Sequence, residues 1–265
     1  MLVVVGSVKG SPGVSCLTAG VAGRLRQERL PVLVLDADPA GGVFTCRAGL
    51  AAHPGLVSLA AATRGAPLSV DVVAAHVQVL ASGAGLLAGP PAGDQASSAL
   101  EVLAERLAQF ARSRPGPEVI LADVGRLDAG SAATPLVRGA DGAVLVMRAD
   151  REGLEQAGAW LRTDPEQRGR TALVTRQPSG GTEYRAAEIA DALGVPVLGR
   201  LPEDGTANAA FGGPPRRNGG RGGRGGRGGW WQAVGQVADQ VRALTGPVRD
   251  GTLPPQRPMA PMGPR

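Results

Sequence analysis

Short runs of branched apolar residues recur along the chain, separated by longer stretches in which apolar positions return every third or fourth residue. The runs are "LVVV" (2–5), "PVLVLD" (31–36), "EVILAD" (118–123), "GAVLVM" (142–147), "TALVT" (171–175) and "VPVLG" (195–199). They are nearly continuous rather than alternating, which is the pattern of strands buried on both faces. A further apolar stretch over 77–89 is compatible with another strand, although its glycines blur the pattern. Helices are predicted over 14–29, 97–112, 152–162 and 183–193. The second is the most regular, with Leu100, Leu103, Leu107 and Phe110 on one side of "SSALEVLAERLAQFAR". Strand–helix alternation predicts an α/β domain over 1–210: a mostly parallel twisted sheet with helices on both faces, in three layers.

The pattern breaks near residue 210. "FGGPPRRNGGRGGRGGRGG" (211–229) is low in complexity, and its glycine and proline cannot build a packed element. It reads as a linker. Residues 230–245 then form an amphipathic helix, with Trp230, Trp231, Val234, Val237, Val241 and Leu244 on one side. The Pro-rich stretch 246–265 reads as a disordered tail.

Composition adds three constraints. Of the 265 residues 43% are hydrophobic but only 3% aromatic, so the core must be built from Val, Leu and Ala. The formal charge is +5 and almost every basic residue is arginine, a bias typical of a GC-rich genome. Against that background Lys9, the single lysine, stands out. The two cysteines, Cys16 and Cys46, have no metal-ligand spacing and suit a reducing compartment. "MLVVVG" is too short for a signal core and no run approaches a membrane span, so the expected location is cytoplasmic.

Candidate chemistry begins at "KGSPGVS" (9–15), which follows a strand and precedes a helix. In that context consecutive backbone N–H groups can converge on phosphate oxygens at a helix N-terminus. Gly10 and Gly13 supply backbone freedom, Ser11, Pro12, Val14 and Cys16 complete the loop, and Ser15 stands where a hydroxyl would ligate Mg²⁺. Such a turn is weak evidence alone. However, "VLVLDADPAG" puts Asp36 and Asp38 at the carboxyl end of the second strand, and "EVILADVG" puts Asp123 at the end of another. In open parallel sheets ligands sit at that end. Strand-end aspartates also serve as helix N-caps, but the three together with the loop favour a Mg²⁺–phosphate site.

These segments resemble the ParA/MinD group of P-loop ATPases, whose deviant Walker A loop reads Lys-Gly-Gly-x-Gly-Lys-Ser/Thr. "KGSPGVS" aligns without a gap, which sets Lys9 on the group's signature lysine and Val14 on its ordinary phosphate lysine. "DADP" (36–39) is similar to its DxDP element, "ILADVG" to its Walker B strand, and "ADGAVLVMRAD" (140–150) and "EIADALGVPVLGRLPED" (188–204) to its later segments. The resemblance implies ATP and Mg²⁺ as ligands and a nucleotide-dependent homodimer. It places the metal among Ser15, Asp36 and Asp123, has Asp38 orient the attacking water, and has Lys9 reach the partner's phosphates. It also puts Arg176, Pro202, Glu203 and Asp204 beside the base. Arg126, just beyond the Walker B strand, either supplies the charge that Val14 lacks or faces solvent.

Three functions follow as alternatives. One is an ATPase switch that positions chromosomes, plasmids, a septum or a secretion or pilus machine, with hydrolysis weakened at Val14. The second is an inactive scaffold of the same fold that recruits a protein partner. The third is a nonspecific DNA-binding protein acting through the arginines of 216–227, at the nucleoid. The Trp230/Trp231 helix has two readings: packing onto the sheet, or lying on a membrane surface.

Overall fold

The computed structural model describes residues 1–10, 13–65, 67–113, 118–128, 130–163, 165–176, 183–202, 205–213 and 229–245. Ser11, Pro12, Glu203, Asp204, the arginines of 216–227 and the stretch 246–265 lie outside the described residues.

Strand β1 (Leu2–Ser7) lies at the centre of an eight-stranded sheet. It is followed by helix α1 (Val14–Gln27) and strand β2 (Val32–Asp36). Three short helices come next: α2 (Phe44–Ala48), α3 (Leu56–Ala62) and α4 (Val70–Ala74). The apolar stretch over 77–89 resolves into two short strands, β3 (Gln78–Val79) and β4 (Gly85–Leu87), paired as an antiparallel hairpin. The chain continues through α5 (Gly93–Ser113), β5 (Val119–Arg126), α6 (Thr134–Gly139) and β6 (Gly142–Arg148). It then forms α7 (Arg151–Thr163), α8 (Pro165–Gly169), β7 (Thr171–Arg176), α9 (Ala186–Leu193) and β8 (Val197–Leu201). A 3-10 helix (Gly205–Gly212) and helix α10 (Gly229–Thr245) complete it.

The strand order is β3-β4-β2-β5-β1-β6-β7-β8, and every pairing except β3 with β4 is parallel. The expected α/β class is therefore observed. From β1 the chain crosses β5 to reach β2; from β5 it crosses β1 to reach β6. This reversal of direction opens a crevice at the carboxyl ends of β1 and β5.

Alternation along the central strands feeds two cores. Leu2 and Val4 of β1, with Ile120, Ala122 and Val124 of β5, pack on one face beneath α5, α6, α7 and α9. Val3 and Val5, with Val119 and Leu121, pack on the other beneath α1, α10 and the 3-10 helix. Leu100, Leu103, Leu107 and Phe110 of α5 are all buried, as their spacing predicts.

Helix α10 packs onto α1 and β8. Its Trp230, Ala233, Val234, Val237, Ala238 and Val241 are buried in the second core. Gly20 of α1 makes this possible, because a Cβ there would lie 2.7 Å from the Trp230 ring. At the far end of α1, Glu28 accepts ion-pair contacts from Arg24 and from Arg242 of α10. The side of α10 that a bilayer would need is thus spent on the sheet, and the packed arrangement is the one observed. Among the described residues no helix is long and apolar enough to cross a membrane.

Candidate functional site

The loop between β1 and α1 turns on two glycines with left-handed backbone, Gly10 (φ +34°) and Gly13 (φ +92°). Side-chain-bearing residues rarely adopt those angles. Gly13 is the N-cap of α1 and brings no side-chain hydrogen bond to it, so the first N–H groups of the helix are left open to the crevice. A cleft of about 480 Å³ occupies that crevice. Its walls come from the carboxyl ends of β1 (Ser7), β5 (Gly125, Arg126), β7 (Arg176) and β8 (Leu201, Pro202), and from the loop and first turn of α1 (Gly10, Gly13, Val14, Ser15, Cys16). Asp38 follows β2 on the same side. Ala207, Asn208 and Trp230 form an end made of the 3-10 helix and α10.

Beneath the floor lie two wholly buried carboxylates, Asp36 and Asp123. They occupy paired register positions on β2 and β5. Asp123 Oδ1 accepts from the Gly125 N–H (3.0 Å), and Ser15 lies beside the same carboxylate. Asp36 Oδ2 accepts from the Phe44 N–H (3.2 Å). The remaining oxygens, Asp36 Oδ1 and Asp123 Oδ2, are buried with no hydrogen-bond partner among the described residues. Burial pushes the Asp123 carboxyl up to about 6 despite the opposing effects of Ser15 and the Gly125 N–H. Burial, with the Asp123 charge beside it, raises Asp36 well above the usual carboxylate range. Asp38 is also raised, mainly by burial, and its Oδ1 accepts from the Ala40 N–H (2.8 Å).

Two desolvated carboxylates, each with an orphaned oxygen, form a pair that suits a cation. Among the described residues no three His, Cys, Asp or Glu side chains cluster to hold a metal by themselves. Mg²⁺ suits such a sparse set, because it is usually held by one or two carboxylates together with waters and substrate phosphates. Ser15, Asp36 and Asp123 therefore fit Mg²⁺ brought with a phosphate ligand.

Gly10, Gly13, Val14, Ser15, Cys16, Asp38, Arg176 and Pro202 are brought together along the cleft, and Asp36 and Asp123 lie under it. Lys9 is not among the lining residues. It forms an ion pair with Glu152 on the first turn of α7 and lines a separate 210 Å³ pocket beyond β6. Val14 is 5% exposed and belongs to the core beneath α1. Arg126 is exposed and borders the cleft.

Sequence reasoning overlooked Arg47. It stands near the end of α2, where Nη1 donates to Cys16 Sγ at 3.2 Å and the guanidinium covers the Phe211 ring at 5.4 Å. In an arginine-rich chain nothing local marks it. Cys16 and Cys46 are both free, and burial raises the Cys16 thiol against the opposing effect of Arg47.

No family model and no curated protein matches the chain by sequence. Solved structures match its fold. The cell-division ATPase MinD of Pyrococcus furiosus aligns with a TM-score of 0.70 at 17% identity, over 92% of this chain and 98% of that one. A ParA family ATPase from Chlorobium tepidum TLS aligns with a TM-score of 0.62 at 20% identity, over 91% and 96%. The septum site-determining protein MinD of Pyrococcus horikoshii OT3, complexed with Mg-ADP, gives 0.59 at 16%, over 92% and 97%. The fold expected from the resemblance is thus the fold observed.

Proposed function

We propose that this chain, folded as the ParA and MinD ATPases are, binds Mg-ATP in the β1–α1 cleft and works as a nucleotide-dependent positioning switch that dimerises around its ligand. The observation that carries this reading is the pair of orphaned, buried carboxylates under an open helix N-terminus. Asp36 and Asp123 each accept one backbone N–H, and a cation would satisfy the oxygens that those bonds leave over. The Mg-ADP complex of the P. horikoshii MinD supports the same ligand class here. In this reading Ser15, Asp36 and Asp123 hold Mg²⁺, which offsets phosphate charge. Asp38, poised above Gly125, orients a water. Pro202 and its neighbours flank the base.

Val14 in place of a lysine removes one charge–phosphate contact, a loss of about 2–4 kcal/mol by analogy with other charge-assisted bonds and electrostatic donors. Hydrolysis is accordingly slow. The burial of Val14 and the pairing of Lys9 with Glu152 favour a second reading, a scaffold of this fold that binds nucleotide weakly or not at all and recruits a protein partner. Calorimetry of the full chain with Mg-ATP, with mass measured in parallel, separates the two. Micromolar binding and a dimer that forms only with ATP support the switch. No binding at millimolar ATP refutes it and leaves the scaffold.

A further inference from the structure

We infer that the positive charge a polyphosphate needs in this cleft is supplied by Arg47 and Arg176, two guanidinium groups that reach the first turn of α1 from different elements. The inference rests on the phosphate-binding reading of the cleft and adds how this chain manages without the loop lysine.

Three observations place the groups. Arg176, at the carboxyl end of β7, has Nη1 3.9 Å from where a Cβ on Gly13 would stand. Its guanidinium therefore lies beside the loop glycine on the wall of the cleft. Arg47 approaches from α2 and donates to Cys16 Sγ, one turn-residue beyond Ser15. Both line the cleft together with Cys16 of that first turn. Arg47 is also held in place: its guanidinium rests on Phe211, whose ring meets Phe44 edge-on at 5.1 Å.

The chemistry differs from that of a loop lysine. An ammonium at position 14 would be a point charge inside the loop. Two planar guanidinium forks outside it can each take a pair of phosphate oxygens and stay charged at any working pH. A di- or triphosphate carries more charge and more oxygens for the two forks to hold than a monophosphate does. The cleft should thus prefer di- and triphosphates to monophosphates. The first-turn N–H groups of α1 remain available to the same ligand.

The test is calorimetry on the full chain with Mg-ATP, AMP and inorganic pyrophosphate. Arg47→Gln, Arg176→Gln and the double variant are compared with Arg47→Lys and Arg176→Lys. Far-UV melts within a few degrees of the parent establish that each variant is folded. The expected result is a tenfold or greater loss of Mg-ATP and pyrophosphate affinity in each Gln variant, with a shallower salt dependence. The Lys variants should recover part of the loss, and AMP should bind weakly throughout. If the parent binds Mg-ATP and the double Gln variant binds it equally well, the arginine assignment falls while the nucleotide reading stands. If the parent binds pyrophosphate but not Mg-ATP, and the double variant loses pyrophosphate, the nucleotide reading falls and the assignment stands. Binding of neither ligand by the parent overturns both.

Discussion

The Asp38 carboxylate occupies the space that a side chain on Gly125 would fill: a Cβ built on Gly125 falls 2.1 Å from Asp38 Cγ. Gly125 also has a left-handed backbone, φ +57°. Two independent constraints therefore demand glycine after Asp123 and Val124. Gly125→Ala should lower stability by about 1–3 kcal/mol through strain and displacement of Asp38. Asp38→Ala in the same chain should recover the part due to the clash and leave the part due to the backbone. Urea denaturation of the four forms measures that coupling. Strictly additive losses would mean that the carboxylate moves aside freely.

Asp123 and Asp36 make the pH dependence of folding specific. Both bind a proton more tightly in the folded chain than in an unfolded one. Their stabilising contribution is therefore complete below the unfolded value of 3.8 and is lost as pH rises through the folded value of about 6 for Asp123. Asp123→Asn should be more stable than the parent at pH 7.5, by at most about 3 kcal/mol, and should show no advantage at pH 4. Thermal melts across that range without added Mg²⁺ check it. The same variant should lose Mg-dependent ligand binding.

Lys9 and Glu152 form an exposed pair, with 54% and 63% of their side chains accessible. Such pairs contribute about 0–1 kcal/mol. Glu152→Gln should leave the melting temperature within error. If Lys9 acts on a partner's phosphates, removing Glu152 frees it, and ATP-dependent dimerisation should tighten about two- to fivefold. Lys9→Ala should abolish dimerisation and leave monomer binding of nucleotide intact. Sedimentation with and without Mg-ATP distinguishes these outcomes.

At Gly20 two effects compete. Alanine in a helix interior gains about 1 kcal/mol over glycine. Here the added methyl would meet the buried Trp230 ring at 2.7 Å, and overpacking of a filled core costs about 1–3 kcal/mol. Overpacking should win, so Gly20→Ala should destabilise the chain. Trp230→Ala should cost about 3–5 kcal/mol. A stabilised Gly20→Ala variant in denaturant titration would show that α10 shifts to make room.

Much of this architecture was legible because burial on both faces imposes continuous apolar runs. Six strands announce themselves that way, and helix α5 does so by apolar residues returning every third or fourth position. The loop and three strand-end aspartates could be read because phosphate chemistry restricts their residue types and spacing. The short helices α2, α3, α4, α6 and α8, each of five to seven residues, were not foreseen. They are too short to display a helical period, and their apolar residues are chosen by the surfaces they cover. The β3–β4 hairpin is masked by Gly83 and Gly85. Arg47 and the position of Arg176 beside Gly13 are tertiary facts: nothing within several residues of either predicts that both line the cleft with the first turn of α1. The amphipathic side of α10 was visible, but its seat on Gly20 depends on a residue more than two hundred positions away.

The cleft's lining residues run from Ser7 to Trp230 along the chain and come from both sides of the sheet's centre. No contiguous fragment contains them, so an unfolded or partly folded chain presents nothing for the ligand to hold. Binding and folding are therefore linked by mass action: a ligand at one hundred times its dissociation constant should add about 2.7 kcal/mol to the stability of the whole domain. A thermal shift on ligand addition then serves as a direct thermodynamic readout of occupancy. Under the proposed function, the concentration of nucleotide would then bear on the stability of the fold itself.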